Sequence, residues 1–142
     1  MTFEHSNALI MSRIVQLSEA ATIGLHSMVL IARSNELINV HQMAEQTGAS
    51  KNHLAKVLQR LVKANFLRSS RGPTGGFILK KKPEDITVLA VYEAIEGTIE
   101  TNGCPMDQSI CPFEKCLMGN IVKKVTDDIV TSFKKQTLKD FV

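Results

Sequence analysis

The sequence predicts a mainly α-helical protein of 142 residues with one small β-hairpin. Three observations support this prediction. A short helical segment, a turn containing glycine and a longer capped helix follow one another between residues 40 and 65. A basic, glycine-rich hairpin comes directly after them, and a long helix with an apolar stripe closes the chain. Together these features predict a winged helix-turn-helix with a two-stranded β wing and a long C-terminal dimerisation helix.

The helices before the wing are marked by apolar periodicity and by capping residues. Apolar residues recur at helical spacing from Ser12 to Ala32, and Ser12 is the expected N-cap. A second helix is predicted over 40–47 and ends at Gly48, which tolerates the left-handed C-cap conformation. Ser50 then caps a third helix. Its inward-facing residues are predicted to be Leu54, Val57, Leu58 and Leu61.

The predicted wing consists of two short strands, 66–70 and 77–81, joined by the turn RGPTGG at 71–76. Glycines in this turn would let the backbone approach a phosphate or enter a narrow groove, where a side chain would be in the way. After the hairpin, Thr87 is expected to cap a fourth helix that reaches Gly97.

Charge is distributed in two blocks along the middle of the chain. Residues 46–83 contain nine basic residues and no Asp or Glu, whereas residues 84–114 contain seven acidic residues and no Lys or Arg. A basic surface suits a polyanion, because each phosphate that it neutralises releases condensed counterions. The basic block therefore favours double-stranded DNA as the partner, with an ordinary solvated basic face as the alternative.

Candidate DNA contacts lie on the third helix and in the wing. The first two turns of a helix that enters the major groove reach bases and phosphates, and Asn, Lys and Arg are the side chains that read them. Arginines that flank a wing can enter the minor groove. The candidates on the helix are Ser50, Lys51, Asn52, His53 and Lys56, with Arg60 placed for the phosphate backbone, and those in the wing are Arg68 and Arg71.

All three cysteines lie close together, at Cys104, Cys111 and Cys116, in the pattern C-x6-C-x4-C. An odd number of thiols argues against a secreted disulfide scaffold. The sequence also has no signal-peptide pattern and no apolar run long enough for a membrane helix, so a cytoplasmic protein is expected. The cysteines could hold an iron–sulphur cluster or zinc, form a thiol–disulfide switch, or belong to an inert loop.

The last helix carries an apolar stripe made of Met118, Ile121, Val122, Val125, Ile129 and Phe133. Such a stripe is expected to pack against a second copy of the chain, with packing onto its own domain as the alternative. The predicted organisation is a loose extension over 1–11, a winged helix-turn-helix domain over 12–86, a connecting helix and cysteine loop over 87–117, and a dimerisation helix over 118–142.

An enzyme is not expected from this sequence. The four histidines have no motif that links them to the cysteines, and there is no phosphate loop, nucleophile elbow or dinucleotide fingerprint. A winged helix that binds another protein is a second alternative, which the absence of acidic residues over 46–83 disfavours.

The run SKNHLAKVLQRLVKANFLRSSRGPTGGFILKKKPEDITVLAVYEAIEG, followed by three clustered cysteines and a long last helix, resembles the Rrf family of bacterial winged-helix regulators, in particular its IscR and NsrR group. The resemblance covers about residues 12–142, and the wing signature RGPTGG is its most specific part. It implies a homodimeric transcription regulator that holds a 2Fe–2S or 4Fe–4S cluster and senses redox state or nitric oxide.

The resemblance also implies roles for individual residues. The groove-reading positions of the family fall on Ser50, Lys51, Asn52 and His53, and its wing contacts fall on Arg71, Thr74 and Gly75. The implied cluster ligands are Cys104, Cys111 and Cys116, with Glu19 of the partner subunit as a candidate fourth ligand. The spacing departs from the five-residue gaps of IscR and NsrR, so the cluster type is not carried over.

Overall fold

The computed structural model describes residues 15–100, 111–118 and 120–142. Within these residues the chain forms a mainly α-helical fold with a two-stranded antiparallel sheet, as predicted. The helices are α1 Glu19–Arg33, α2 Val40–Thr47, α3 Lys51–Lys63, α4 Val88–Glu96 and α5 Ile121–Lys135. The strands are β1 Leu67–Ser70 and β2 Gly76–Leu79, and two 3-10 helices span Pro83–Asp85 and Leu138–Phe141.

Helix α1 begins later than the sequence predicted. Its N-cap is Ser18, whose side chain accepts a hydrogen bond from the Ala21 amide at 3.0 Å. The predicted cap, Ser12, lies outside the described residues, and the described residues directly before Ser18 are not helical. Apolar periodicity does not locate a helix start, which depends on a side chain that accepts a hydrogen bond from one of the first free amides, as Ser18 does here.

The helix-turn-helix matches its prediction closely. Helix α2 starts at a capping box between Asn39 and Gln42 and ends at Gly48, whose φ of 73° is left-handed. Ser50 caps α3 by accepting a hydrogen bond from the His53 amide at 3.2 Å. The predicted inward-facing residues are the buried residues of α3, namely Leu54, Val57, Leu58 and Leu61.

The wing is a short hairpin in which Leu67 pairs with Leu79 and Ser70 pairs with Gly76. Both strands are shorter than predicted, and Gly76 belongs to β2 rather than to the turn. Residue Ile38 forms a bridge with Phe77 on the other side of β2, through hydrogen bonds of 2.9 and 3.2 Å. This bridge joins the wing to the segment that precedes α2, so the wing is attached to the helical core.

Helix α4 agrees with its prediction, since Thr87 caps it and Gly97 ends it. The last helix differs, because α5 ends at Lys135 and the chain then turns back towards the winged domain. The Leu138 amide donates to the Ile86 carbonyl at 3.0 Å, and Leu138 is 1% exposed. Leu138, near the end of the predicted 118–142 helix, is therefore part of the core.

The core lies between α1, α3, α4 and the wing. Its largest fully buried side chains include Met28, Leu54, Leu58, Leu67 and Leu138. In the part of the chain that the structure describes, none of the helices combines the length and the apolar character needed to cross a bilayer.

Candidate nucleic-acid interface and cysteine segment

The outward face of α3 is set by the helical period. Asn52, Lys56, Gln59 and Lys63 follow one another at intervals of three or four residues, so they form a stripe opposite the buried leucines. All four are exposed. Gln59 and Lys63 were not among the sequence candidates, although projecting the buried positions around the helix would have identified them.

The nine basic side chains of residues 46–83 are all exposed. Within the described residues, the ion pairs join other groups, and none of these nine side chains pairs with a carboxylate. Carboxylates in the described part of the chain therefore do not neutralise these nine positive charges. The nine are Lys51, Lys56, Arg60, Lys63, Arg68, Arg71, Lys80, Lys81 and Lys82.

Three of the nine contact neutral groups of their own chain. The Arg60 guanidinium donates to the Ile95 carbonyl at 3.1 Å, at the C-terminal end of α4. Lys80 donates to the Asn65 side-chain oxygen at 3.2 Å, and the Lys81 ammonium lies 5.0 Å from the centre of the Phe66 ring. Arg60 is the sequence candidate for the phosphate backbone, and one nitrogen of its guanidinium points towards α4.

His53 occupies the same flank of α3 as Arg60, seven positions earlier along the helix. Its Nδ1 atom lies 3.8 Å from the carboxylate of Glu19, the first residue of α1. Glu19, the candidate fourth cluster ligand, is 77% exposed, so its carboxylate is accessible to solvent. The structure thus places this residue beside α3 of its own chain.

Two of the predicted wing contacts, Arg71 and Thr74, lie in the turn of the hairpin, whereas Arg68 lies in β1. Arg68, Arg71 and Thr74 are exposed. The turn is closed by a hydrogen bond from the Gly75 amide to the Gly72 carbonyl at 3.0 Å, with Pro73 at the second position, where its fixed φ is favourable. Gly75 is half-buried in this turn.

Gly75 is required for the geometry of the turn. A Cβ atom at this position would lie 2.8 Å from the carbonyl carbon of Arg71 and closer still to the carbonyl oxygen of Ser70. We expect Gly75→Ala to lower the free energy of unfolding by about 1–3 kcal/mol, because backbone atoms must move to admit the methyl group. Urea denaturation measures this effect.

The matched control for Gly75→Ala is Ser69→Ala, at an exposed position of the same hairpin. This surface change should lower the free energy of unfolding by less than about 0.5 kcal/mol. If the two variants unfold at the same urea concentration, the close approach around Gly75 does not determine the stability of the wing.

The described cysteines lie in a segment, 111–118, that contains neither helix nor strand. Cys111 is half-buried and Cys116 is exposed, whereas Cys104 lies outside the described residues. Apolar side chains in the segment are also exposed, with Leu117 at 85% and Phe113 at 65%. Among the described residues, no group of three or more His, Cys, Asp or Glu side chains is placed to hold a metal ion.

Comparison with known proteins identifies the family. A model of the Rrf2 family, described as an iron-dependent transcriptional regulator, matches residues 17–142. The chain belongs to the Rrf2 family. Among curated Rrf2-type relatives, the transcriptional regulator NsrR of Bacillus subtilis (strain 168) is 29% identical over 132 residues, which are 90% of either chain. IscR of Pectobacterium atrosepticum is 28% identical over 100 residues, which are 70% of this chain and 61% of that one.

Solved structures support the same Rrf2 fold. CymR, the global cysteine regulator of B. subtilis, matches with a TM-score of 0.71 at 21% identity, over 89% of this chain and 95% of that chain. IscR of T. potens matches with a TM-score of 0.69 at 25% identity, over 89% of this chain and 85% of that chain. The winged-helix fold class and the family resemblance predicted from the sequence are confirmed, and Rrf2 proteins are DNA-binding transcriptional regulators rather than enzymes.

Proposed function

We propose that this Rrf2 chain is a cytoplasmic, homodimeric transcription regulator whose affinity for a double-stranded DNA operator depends on the state of its three clustered cysteines. The observation that carries the proposal is the set of basic residues on α3, in the wing and directly after the wing. Its nine Lys and Arg side chains are exposed, and within the described residues no carboxylate pairs with them. Phosphates can supply the missing negative charge and release counterions on binding.

Helix α3 would lie in the major groove with its N-terminal turn towards the bases. Asn52 can read adenine through two hydrogen bonds, whereas Lys51 and Lys56 can read guanine or hold phosphate. The first amides of α3 also favour a phosphate, because their partial positive charge points out of the helix. The wing would follow the adjacent backbone or the minor groove through Arg68, Arg71 and Thr74.

Helix α5 is the proposed dimerisation element. None of its side chains is buried within the described part of a single chain. Val125 and Ile129 are half-buried, and Ile121 is 52% exposed, so the stripe presents apolar surface to solvent. A second copy could cover this surface around a two-fold axis, and two α3 helices could then meet half-sites about 34–36 Å apart.

The cysteines are the proposed sensing group. Cys104, Cys111 and Cys116 provide soft thiolate donors, which suit iron–sulphur clusters and zinc, so the donor set fits either. When bound, an iron–sulphur cluster would supply a redox-active centre that oxidants or nitric oxide can attack. The iron-dependent description of the family and the relatives NsrR and IscR support the cluster. Zinc and a thiol–disulfide switch at the same cysteines are the alternatives.

A fourth ligand is proposed from Glu19 of the partner subunit. Its high exposure supports this role, because a second copy could reach the carboxylate without displacing core residues. Glu19→Gln should then make the bound group more labile than in the wild-type chain while leaving Cys104, Cys111 and Cys116 in place.

Anaerobic purification with an absorbance spectrum and with iron, sulphide and zinc analysis tests the sensing part of the proposal. We expect a coloured protein with acid-labile sulphide, and we expect Cys111→Ala to lose the colour and to change operator affinity about 5-fold or more. The duplex for this measurement would be selected from a random pool with the wild-type chain.

The other outcomes separate the alternatives. Zinc without sulphide would favour a zinc site at the cysteines, and a metal-free protein whose affinity changes with a thiol reductant would favour the thiol–disulfide switch. Equal operator affinity of the wild-type chain and Cys111→Ala, with or without a bound group, would refute control of DNA binding by the cysteines.

A further inference from the structure

The C-terminal end of α4, formed by Ile95 and Glu96, contacts both α1 and α3. The Arg60 guanidinium of α3 donates to the Ile95 carbonyl at 3.1 Å. The hydroxyl of Ser18, the N-cap of α1, donates to the Glu96 carboxylate at 2.5 Å. The Arg60 contact is favourable, because the last carbonyls of a helix lack intrahelical partners and carry partial negative charge.

The packing around this helix end is close. A Cβ atom added at Gly24 of α1 would overlap the Ile95 side chain and lie 3.1 Å from a methyl group of Val57 in α3. Ile95 and Val57 are buried. Helices α1, α3 and α4 therefore meet within van der Waals contact at this point, and a displacement of the α4 end cannot be absorbed by empty space.

The same helix end is where the chain leaves for the cysteines. Gly97 ends α4 with a φ of 87°, and residues 98–100 continue without helix or strand towards the cysteine region, the part of the chain from Cys104 to Cys116. A change of state at the cysteines can reach the winged domain along the chain through this helix end. The side chains of Arg60 and Ser18 hold the helix end from two sides.

We propose that Arg60 and Ser18 are positioning residues that couple the cysteine region to the recognition helix α3. This inference rests on the proposed function, since it requires that the cysteine state changes DNA affinity. When the start of the cysteine region shifts, the Ile95 carbonyl shifts with it, and the hydrogen bond of Arg60 passes the displacement to α3. Arg60 thus acts on DNA affinity through its contact with α4, beyond the positive charge that it contributes.

The experiment compares Arg60→Met with the wild-type chain. Operator affinity is measured as a function of salt in two cysteine states. The first is the anaerobically purified protein. The second is the same protein after EDTA and ferricyanide have removed any bound group and dithiothreitol has reduced the thiols. The wild-type ratio of the two affinities should be about 5–150, the usual range for coupled sites. In Arg60→Met this ratio should approach 1. The loss of one positive charge by itself would weaken binding in both states by about the same factor and would leave the ratio unchanged.

Lys63→Met is the matched control. It removes the same charge from the same helix, but Lys63 is exposed and makes no contact with α4 through a hydrogen bond or an ion pair among the described residues. It should keep the wild-type ratio between the two cysteine states. Loss of the ratio in both variants would mean that positive charge on α3 is responsible, and the inference would be wrong.

Two further outcomes are decisive. If Arg60→Met keeps the wild-type ratio and its salt slope falls by about 0.9, Arg60 contacts a phosphate and the inference is wrong, although the proposed function stands. If the wild-type chain itself shows no difference between the two states, the proposed function fails and the inference fails with it.

A second variant covers the case in which Arg60→Met does not fold. Glu96→Ala removes the acceptor of the Ser18 hydroxyl and should lower the ratio between the cysteine states. Glu96→Gln retains an acceptor oxygen and should restore it. A ratio that is the same in Glu96→Ala as in the wild-type chain would contradict the role of the Ser18 contact.

Discussion

Neutralising Lys51, Lys56 and Arg71 together, each to Gln, is expected to weaken operator binding about 100-fold or more at physiological salt. Each phosphate contact that is lost should reduce the slope of log affinity against log salt by about 0.9, so three contacts should reduce it by nearly 3. Fluorescence anisotropy with the selected duplex, measured over a range of salt concentrations, gives both quantities.

These three residues are chosen because the structure leaves their charges available. All are exposed, and in the described ranges none of them makes a side-chain hydrogen bond or ion pair with its own chain. Lys51 and Lys56 lie on α3 and Arg71 lies at the start of the wing turn, so the variant tests both parts of the interface. Because the side chains are exposed, the free energy of unfolding should change by less than about 0.5 kcal/mol per site.

The matched control removes the same number of positive charges elsewhere. Lys134, Lys135 and Lys139 lie at the end of α5 and in the C-terminal 3-10 helix, and all are exposed. Changing these three to Gln alters the net charge equally but should leave the salt slope nearly unchanged. If both triple variants lose affinity to the same extent, overall charge is responsible and the α3–wing surface is not the interface.

Leu138→Ala is expected to lower the free energy of unfolding by about 2–4 kcal/mol, and so to lower Tm by on the order of 10 °C. Leu138 is 1% exposed and belongs to the main apolar core, where its removal leaves a cavity. Thermal and urea denaturation measure the loss.

The loss should be concentrated where the C-terminal turn joins the winged domain. There the Val88 amide donates to the Gln136 carbonyl at 2.9 Å, and the Leu138 amide donates to the Ile86 carbonyl at 3.0 Å. Hydrogen exchange at these two amides should accelerate in Leu138→Ala more than exchange in α3.

Val142→Ala is the control for this prediction, since Val142 lies in the same C-terminal turn but is 56% exposed. Shortening the Val142 side chain to that of alanine should lower the free energy of unfolding by less than about 0.5 kcal/mol. If Leu138→Ala and Val142→Ala unfold at the same temperature, the C-terminal turn is not an integral part of the core.

The helix-turn-helix could be predicted from the sequence because its signals are local. Gly48 adopts a left-handed conformation that favours glycine, and Ser50 accepts a hydrogen bond from an amide three residues later. The buried face of α3 follows from the helical period alone. The start of α1 was not predictable in this way, because Ser12 and Ser18 are both acceptable caps and the choice depends on where the helix packs.

The sequence by itself determined the helix-turn-helix, the wing and the block of basic residues, because caps, turn glycines and charge are properties of neighbouring residues. Only the tertiary structure decided that Arg60 contacts the end of α4 and that Leu138 returns to the core. The partner of Arg60 is 35 positions away, and that of Leu138 lies beyond the cysteine region. No local pattern encodes such pairings, which arise when packed elements bring distant hydrogen-bonding groups and apolar side chains together.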